Sequence, residues 1–176
     1  IWNLEQMKEK ISETITINKL FDEPITMPIN SDIKCKKILV DSINIKDSAT
    51  KPILIPCVQE DGAPYKVLFK NEDLRVDYII MKIIKLMDII LKKEQGLDLG
   101  ILTYNILPTS SQDGFIEIVP DSETIYHIKT KMGYSILNYI MDNNKNKTVE
   151  IIRNNFMKST AAYCVITYLL GIGDRH

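Results

Sequence analysis

Apolar residues recur along this chain with two periods, and the switches between them mark out its elements. Trp2, Met7, Ile11 and Ile15 stand at helical spacing with Glu and Lys between them, which predicts an amphipathic helix over residues 1–16. Pro24 and Pro28 then break regular structure, because proline lacks an N–H and restricts the residue before it. Ile38, Val40, Ile43 and Ile45 predict a strand with one irregularity, followed by a turn over 46–52 and an answering strand over 53–58. A polar turn leads to a third strand, YKVLFK, over 65–70. The clearest helical period covers 73–94, with Ile79, Ile80, Ile83, Ile84, Met87, Ile90 and Leu91 on one side and Lys82, Lys85 and Lys92 on the other.

A further strand is predicted, GFIEIV, closed by Pro120 with Asp121 or Ser122 as N-cap of the next element. His127 falls in its first turns, where a surface or packing role is expected. A short helix over 134–141, a polar loop over 142–147 and a long helix from Thr148 complete the chain. From Ala161 to Leu170 that helix is apolar nearly all round, as in a helix buried inside a domain. Gly171 and Gly173 end it, and Asp174, Arg175 and His176 follow at once. An acid, a guanidinium and an imidazole on a tight loop behind a rigid helix suit acid–base chemistry; a surface turn whose Asp and Arg merely pair has the same letters.

Composition adds limits. At 176 residues, 45% hydrophobic and 26% charged, the chain can bury a core. A formal net charge of -1 provides no global field for nucleic acid or an acidic bilayer. Cys35, Cys57 and Cys164 are scattered, without a C-x-x-C pair, and suggest neither a disulfide framework nor a zinc site. A reducing, intracellular setting is expected. No run of about 20 apolar residues is present to span a bilayer, and the start does not have the shape of a signal peptide. Beginning without Met and stopping inside a loop, the sequence reads as a fragment.

Among the strand residues, Lys70 closes 65–70 just before an acidic loop and a helix, where a cation could be held rigidly; taken alone, a lysine at such a position is more often a solvated surface residue. At about 100° per residue Asp77 lies beside Ile84 on the margin of the apolar stripe, so its carboxylate can face inward, and Lys70 is its candidate partner. The turn Ser48-Ala49-Thr50-Lys51-Pro52 is either a plain hairpin connection or a loop offering Ser48, main-chain N–H groups and Lys51 to a phosphate.

Taken together, AYCVITYLLGIGDRH, VLFKNEDLRVD, GFIEIV and the S-A-x-x-P turn resemble the catalytic domain of the phosphatidylinositol 3- and 4-kinases, closest to the 3-kinases. The resemblance covers roughly residues 28–176. It implies an α+β protein-kinase-like fold: a helical lead-in over 1–27, a complete small lobe and hinge over 28–119 (a twisted antiparallel sheet with one long helix), and the first helices of the large lobe over 120–176. It implies ATP and magnesium as cofactors. For the nucleotide it implies Ser48 and Lys51 in the phosphate loop, Leu68 and Lys70 on the third strand, and Asp77 with Tyr104 lining the inner pocket. Glu117 and Val119 offer main-chain groups to adenine, and Ile116 and Ile118 supply apolar surface. In the family's D-R-H-x-x-N loop, His176 is the base or proton relay, Asp174 positions it with the substrate hydroxyl, and Arg175 braces the loop.

The reaction implied is transfer of the ATP γ-phosphate to the 3-hydroxyl of a phosphatidylinositol at a membrane surface, by a cytoplasmic, membrane-peripheral protein. A regulatory subunit is a further implied partner, and nucleic acid is not. The family's magnesium ligands follow the last residue, so the chain as given is expected to turn nothing over. Val76 and Thr103 replace the family's Gln and Pro, and no Gly follows Lys70. Two other readings share these letters: a phosphatidylinositol 4-kinase or related Ser/Thr kinase, and a non-catalytic kinase lobe acting as a binding module.

Overall fold

The computed structural model describes residues 3–46 and 50–173. They form two compact units, one made of the chain up to Met81 with Tyr104–Pro120, the other of Lys82–Thr103 with the chain from Asp121 onward.

The first unit opens with helix α1 (Leu4–Ile17), started by a capping box in which Asn3 and Gln6 satisfy each other's N–H groups. None of its residues is buried, and Lys8 Nζ donates to the Asp41 carbonyl at 3.0 Å. Seven strands follow: β1 (Ile25–Met27), β2 (Asn30–Ile38), β3 (Asn44–Ile45), β4 (Ile53–Gln59), β5 (Pro64–Lys70), β6 (Ile106–Pro108) and β7 (Gly114–Glu117). They make one antiparallel sheet in the order β1-β2-β4-β5-β7-β6, with β3 paired to β4. Helix α2 (Arg75–Gln95) follows β5 after a tight turn, and the architecture is the expected α+β lobe.

Strand alternation puts side chains of one parity on one face. Cys35, Cys57, Tyr65 and Val67 form the buried cluster of the first face, with Ile33, Ile55 and Phe115 against it. Phe69 and Phe115 extend that face, their rings 5.2 Å apart and tilted by 57°. The opposite parity aligns Leu54, Leu68, Ile116 and Ile106 in one cross-strand row, and Lys70 with Gly114 in the next.

The single strand expected over 36–45 is in fact two. A 3-10 turn at Val40–Ser42 separates β2 from β3 and lets Ile43 turn inward to 2% exposure. Pro24 and Pro28 bracket β1 rather than abolish it, since each lies outside the paired residues. A bulge between Cys35 and Lys37 allows both Cys35 and Ile38 to reach the core although they are three apart.

In the second unit, helix α3 (Ile136–Asp142) is N-capped by Ser135 and helix α4 (Val149–Leu169) by Thr148. Tyr163 on α4 holds residues near Leu102: its hydroxyl donates to the Leu102 carbonyl and accepts from the Leu102 N–H, both at 2.8 Å. The helical turn after Pro120 starts later than Asp121 or Ser122, because Thr124 Oγ1 is the group that accepts the His127 N–H. His127 then opens a π-helical turn, half-exposed beside Glu123.

Burial along α4 corrects the sequence reading. Only Ile152, Ala162 and Ile166 are buried, whereas Val165, Tyr168 and Leu169 are exposed. An all-round apolar helix needs neighbours on every side, and the described chain supplies one packed stripe. The apolar stripe of α2 behaves alike, with Ile84 buried while Ile79, Ile83 and Ile90 are exposed.

Candidate functional site

Residues that the sequence assigns to nucleotide binding gather on β5 and β7 by register. Leu68 pairs with Leu54 on one side and with Ile116 on the other, so three branched side chains of one parity lie abreast. Lys70 is two residues further along the same face, paired with Gly114. Ile118 continues past the end of β7, its N–H donating to the Lys66 carbonyl at 3.0 Å. An apolar strip ending in an ammonium group suits a ligand with a flat apolar body and an anionic tail.

Gly114 is what lets the Lys70 end of this strip close up. A Cβ there would stand 2.7 Å from the Leu107 carbonyl oxygen and 2.9 Å from Leu74 Cδ1. Leu74 itself has no exposed surface and sits between Lys70 and the start of α2.

The ammonium of Lys70 is paired with Glu72, not with Asp77. Glu72 lies two residues on, in the turn into α2, and so reaches the strand end. Asp77, in the first turn of α2, is exposed, and the inward orientation expected from the apolar stripe is not seen. Asp73 shapes the same turn. Its carboxylate accepts the Arg75 main-chain N–H at 3.0 Å and clasps the guanidinium. That Arg75 contact holds its pKa down at about 2.

The loop between β3 and β4 contains Lys51, exposed and held at φ 45°, a left-handed conformation uncommon for a side chain other than glycine or asparagine. Lys46 N donates to the Pro52 carbonyl at 2.8 Å across the loop's base. Ser48 lies outside the described residues, as do Asp174, Arg175 and His176. Tyr104 is half-buried in the extended segment just before β6.

Glu117 has side-chain partners that its place in GFIEIV does not reveal. Its side chain is on the cysteine–tyrosine face by register, opposite to Leu68 and Ile116, and its carboxylate accepts four hydrogen bonds. Oε1 accepts from Asn30 Nδ2 at 3.0 Å and from the Tyr65 hydroxyl at 3.1 Å; Oε2 accepts from the Asn105 N–H and Nδ2, both at 2.9 Å. Parity puts Tyr65 and Glu117 on one face, but Asn30, 87 residues away, carries no signal in the sequence.

Burial, and next the Glu117 carboxylate, push the Tyr65 hydroxyl well above its ordinary value. Burial also raises the Cys35 thiol, and burial with Cys35 beside it takes Cys57 to about 12. All three groups resist ionising in the fold more than in the unfolded chain, so their contribution to stability is complete at neutral pH. It declines as pH rises above about 8.5 for the thiols and about 10 for the phenol. Denaturant unfolding should therefore show stability dropping between pH 8 and 11, and Tyr65→Phe should shallow that drop.

Among the described residues no three His, Cys, Asp or Glu side chains gather to hold a metal ion. No helix there is long and apolar enough to cross a membrane.

Comparison with known proteins supplies the family. The family model described as phosphatidylinositol 3- and 4-kinase matches residues 64–176. The chain is similar to phosphatidylinositol 3-kinase VPS34 of Candida glabrata, 37% identical over 158 residues, covering 86% of this chain and 17% of that protein. It is similar to phosphatidylinositol 3-kinase pik3 of Schizosaccharomyces pombe, 35% identical over 161 residues, covering 86% and 20%. The root isoform of phosphatidylinositol 3-kinase from Glycine max is 32% identical over 179 residues, covering 98% and 22%. The chain thus spans about a fifth of the length of these curated relatives. With the match running from β5 through the Lys70 turn, β7 and α4, the chain belongs to the phosphatidylinositol 3- and 4-kinase family.

Proposed function

We propose that this chain is the nucleotide-binding part of an ATP-dependent lipid kinase that phosphorylates the 3-hydroxyl of a phosphatidylinositol. The observation that carries the reading is the strip across β4, β5 and β7, Leu54, Leu68 and Ile116 abreast with Lys70 at its end, in a chain of this family. The strip supplies apolar surface to the base, with Ile118 beside it. Main-chain groups of Glu117 and Val119 take its polar edge. The Lys70 ammonium neutralises the phosphates, since the loose transition state of phosphoryl transfer is stabilised chiefly by positioned charge. Ser48 and Lys51 serve the phosphates, and Tyr104 lines the inner pocket. His176 accepts the proton of the lipid hydroxyl, Asp174 positions both, and Arg175 braces their loop.

Magnesium belongs to this chemistry as the ion that shields the transferring phosphate. The described residues do not present a ligand set for it, and none is assigned to it. The lipid places the protein at a membrane surface, on the cytoplasmic side, with a regulatory subunit as a further partner.

The test is to give the full-length protein γ-labelled ATP, magnesium and phosphatidylinositol vesicles, and to separate the lipid products. Labelled phosphatidylinositol 3-phosphate is expected. The 4-phosphate would move the protein to the 4-kinases, and an unlabelled lipid fraction with intact ATP binding would make it a binding module.

A further inference from the structure

Residues of a hydrogen-bonded antiparallel pair normally exchange two main-chain bonds, each N–H donating to the other's carbonyl. Asn105 and Glu117 make only one of the two. Glu117 N donates to the Asn105 carbonyl at 2.9 Å. The return donor, the Asn105 N–H, goes instead to the Glu117 carboxylate, at 2.9 Å from Oε2. The side chain of Glu117 thus stands in for its own carbonyl, which is released from that ladder bond. Ile118, the next residue, turns its N–H the other way, to Lys66. The carbonyl of Glu117 consequently faces away from β5, opposite Asn105, the residue just before β6.

We infer that Glu117 is a positioning residue of the nucleobase site: its carboxylate takes the Asn105 N–H so that its main-chain carbonyl can accept a hydrogen bond from the exocyclic amine of adenine. The inference rests on the nucleotide-binding reading above and adds a residue whose side chain touches no ligand. What holds the carboxylate in this role is its other oxygen, gripped by Asn30 and Tyr65. A carboxylate fits where a carboxamide does not, because all four bonds need an acceptor, and an amide nitrogen would oppose a donor at one end. The arrangement also makes the hinge strand answer to the β1–β2 turn, from which Asn30 projects.

The test compares ATP with purine riboside triphosphate, which lacks the exocyclic amine, in equilibrium binding to the full-length protein. A single neutral hydrogen bond is worth about 1 kcal/mol net, so the wild type should prefer ATP about fivefold. Glu117→Gln should bring that ratio towards one, because the Asn105 N–H returns to the carbonyl. A purely structural loss would weaken both nucleotides equally and leave the ratio unchanged, which would overturn the inference. Should Glu117→Gln fail to fold, the double variant Asn30→Ala with Tyr65→Phe loosens the carboxylate from its far oxygen and should lower the ratio part of the way; an unchanged ratio overturns the inference there too. A wild type that binds ATP without preferring it also overturns the inference alone. A wild type that binds neither nucleotide strikes at the nucleotide-binding reading itself.

Discussion

Replacing Lys70 by Met is expected to lower kcat/KM for lipid phosphorylation by about 100-fold to 1000-fold, the usual cost of deleting a preorganised charge from a phosphoryl or oxyanion site. The loss should fall on kcat as well as on KM, because the charge on the phosphates grows in importance as the bond to the leaving oxygen lengthens. The cost to folding should be limited to the ion pair with Glu72, a part-exposed and screened contact between residues two apart. Glu72→Gln is the informative companion. If Glu72 only parks the ammonium in the absence of nucleotide, this variant should keep most of the activity and bind ATP at least as tightly. If instead Lys70→Met leaves kcat/KM within about twofold of wild type, Lys70 is a surface lysine and the phosphate role assigned to it is wrong.

The second large effect is on stability, at Leu74 and Gly114. Leu74→Ala should cost about 2–5 kcal/mol, the range for truncating a fully buried leucine, read as a drop in the denaturation midpoint without loss of cooperativity. Gly114→Ala should cost about 1–3 kcal/mol by overpacking. Joining the two changes might appear to cure both, because the added methyl would occupy space vacated by the leucine. Rescue should be poor. The tighter contact of a Cβ at residue 114 is with the Leu107 carbonyl oxygen, at 2.7 Å, and backbone cannot withdraw as a side chain can. A double variant as stable as Leu74→Ala alone would show that the β6–β7 pair yields more readily than this geometry implies.

Much of this structure could be read in advance where a single period ran uninterrupted. The helix expected over 73–94 is Arg75–Gln95, and the strands expected over 53–58 and 65–70 are Ile53–Gln59 and Pro64–Lys70. Reading stopped short where two local signals competed. Pro24 and Pro28 hid β1, since proline is a breaker in the chain yet harmless just outside a paired strand. The odd spacing of Cys35 and Ile38 fits neither period without a bulge, which only the partner strand discloses.

The site divided along the same line. That Leu68, Lys70 and Ile116 share one face was legible, because strand parity sets it. The partner of Lys70 was not, because periodicity describes the interior of a helix, and Glu72 lies in the turn before it. Nor was the grip on Glu117, which joins residues 30, 65 and 105 and depends wholly on tertiary pairing. Apolar length misled at α4, for a composition shows what a helix could bury and not what stands next to it.

The bulge in β2 has a bearing on chain length. Lys36 and Lys37 stand together against a single stretch of β4, so one of them is surplus to the pairing. Shortening the strand by a lysine at this spot would restore plain alternation and still leave Cys35 and Ile38 inward. Taking a residue from between Asn30 and Cys35 would instead roll the start of the strand over, and Asn30 would swing off Glu117.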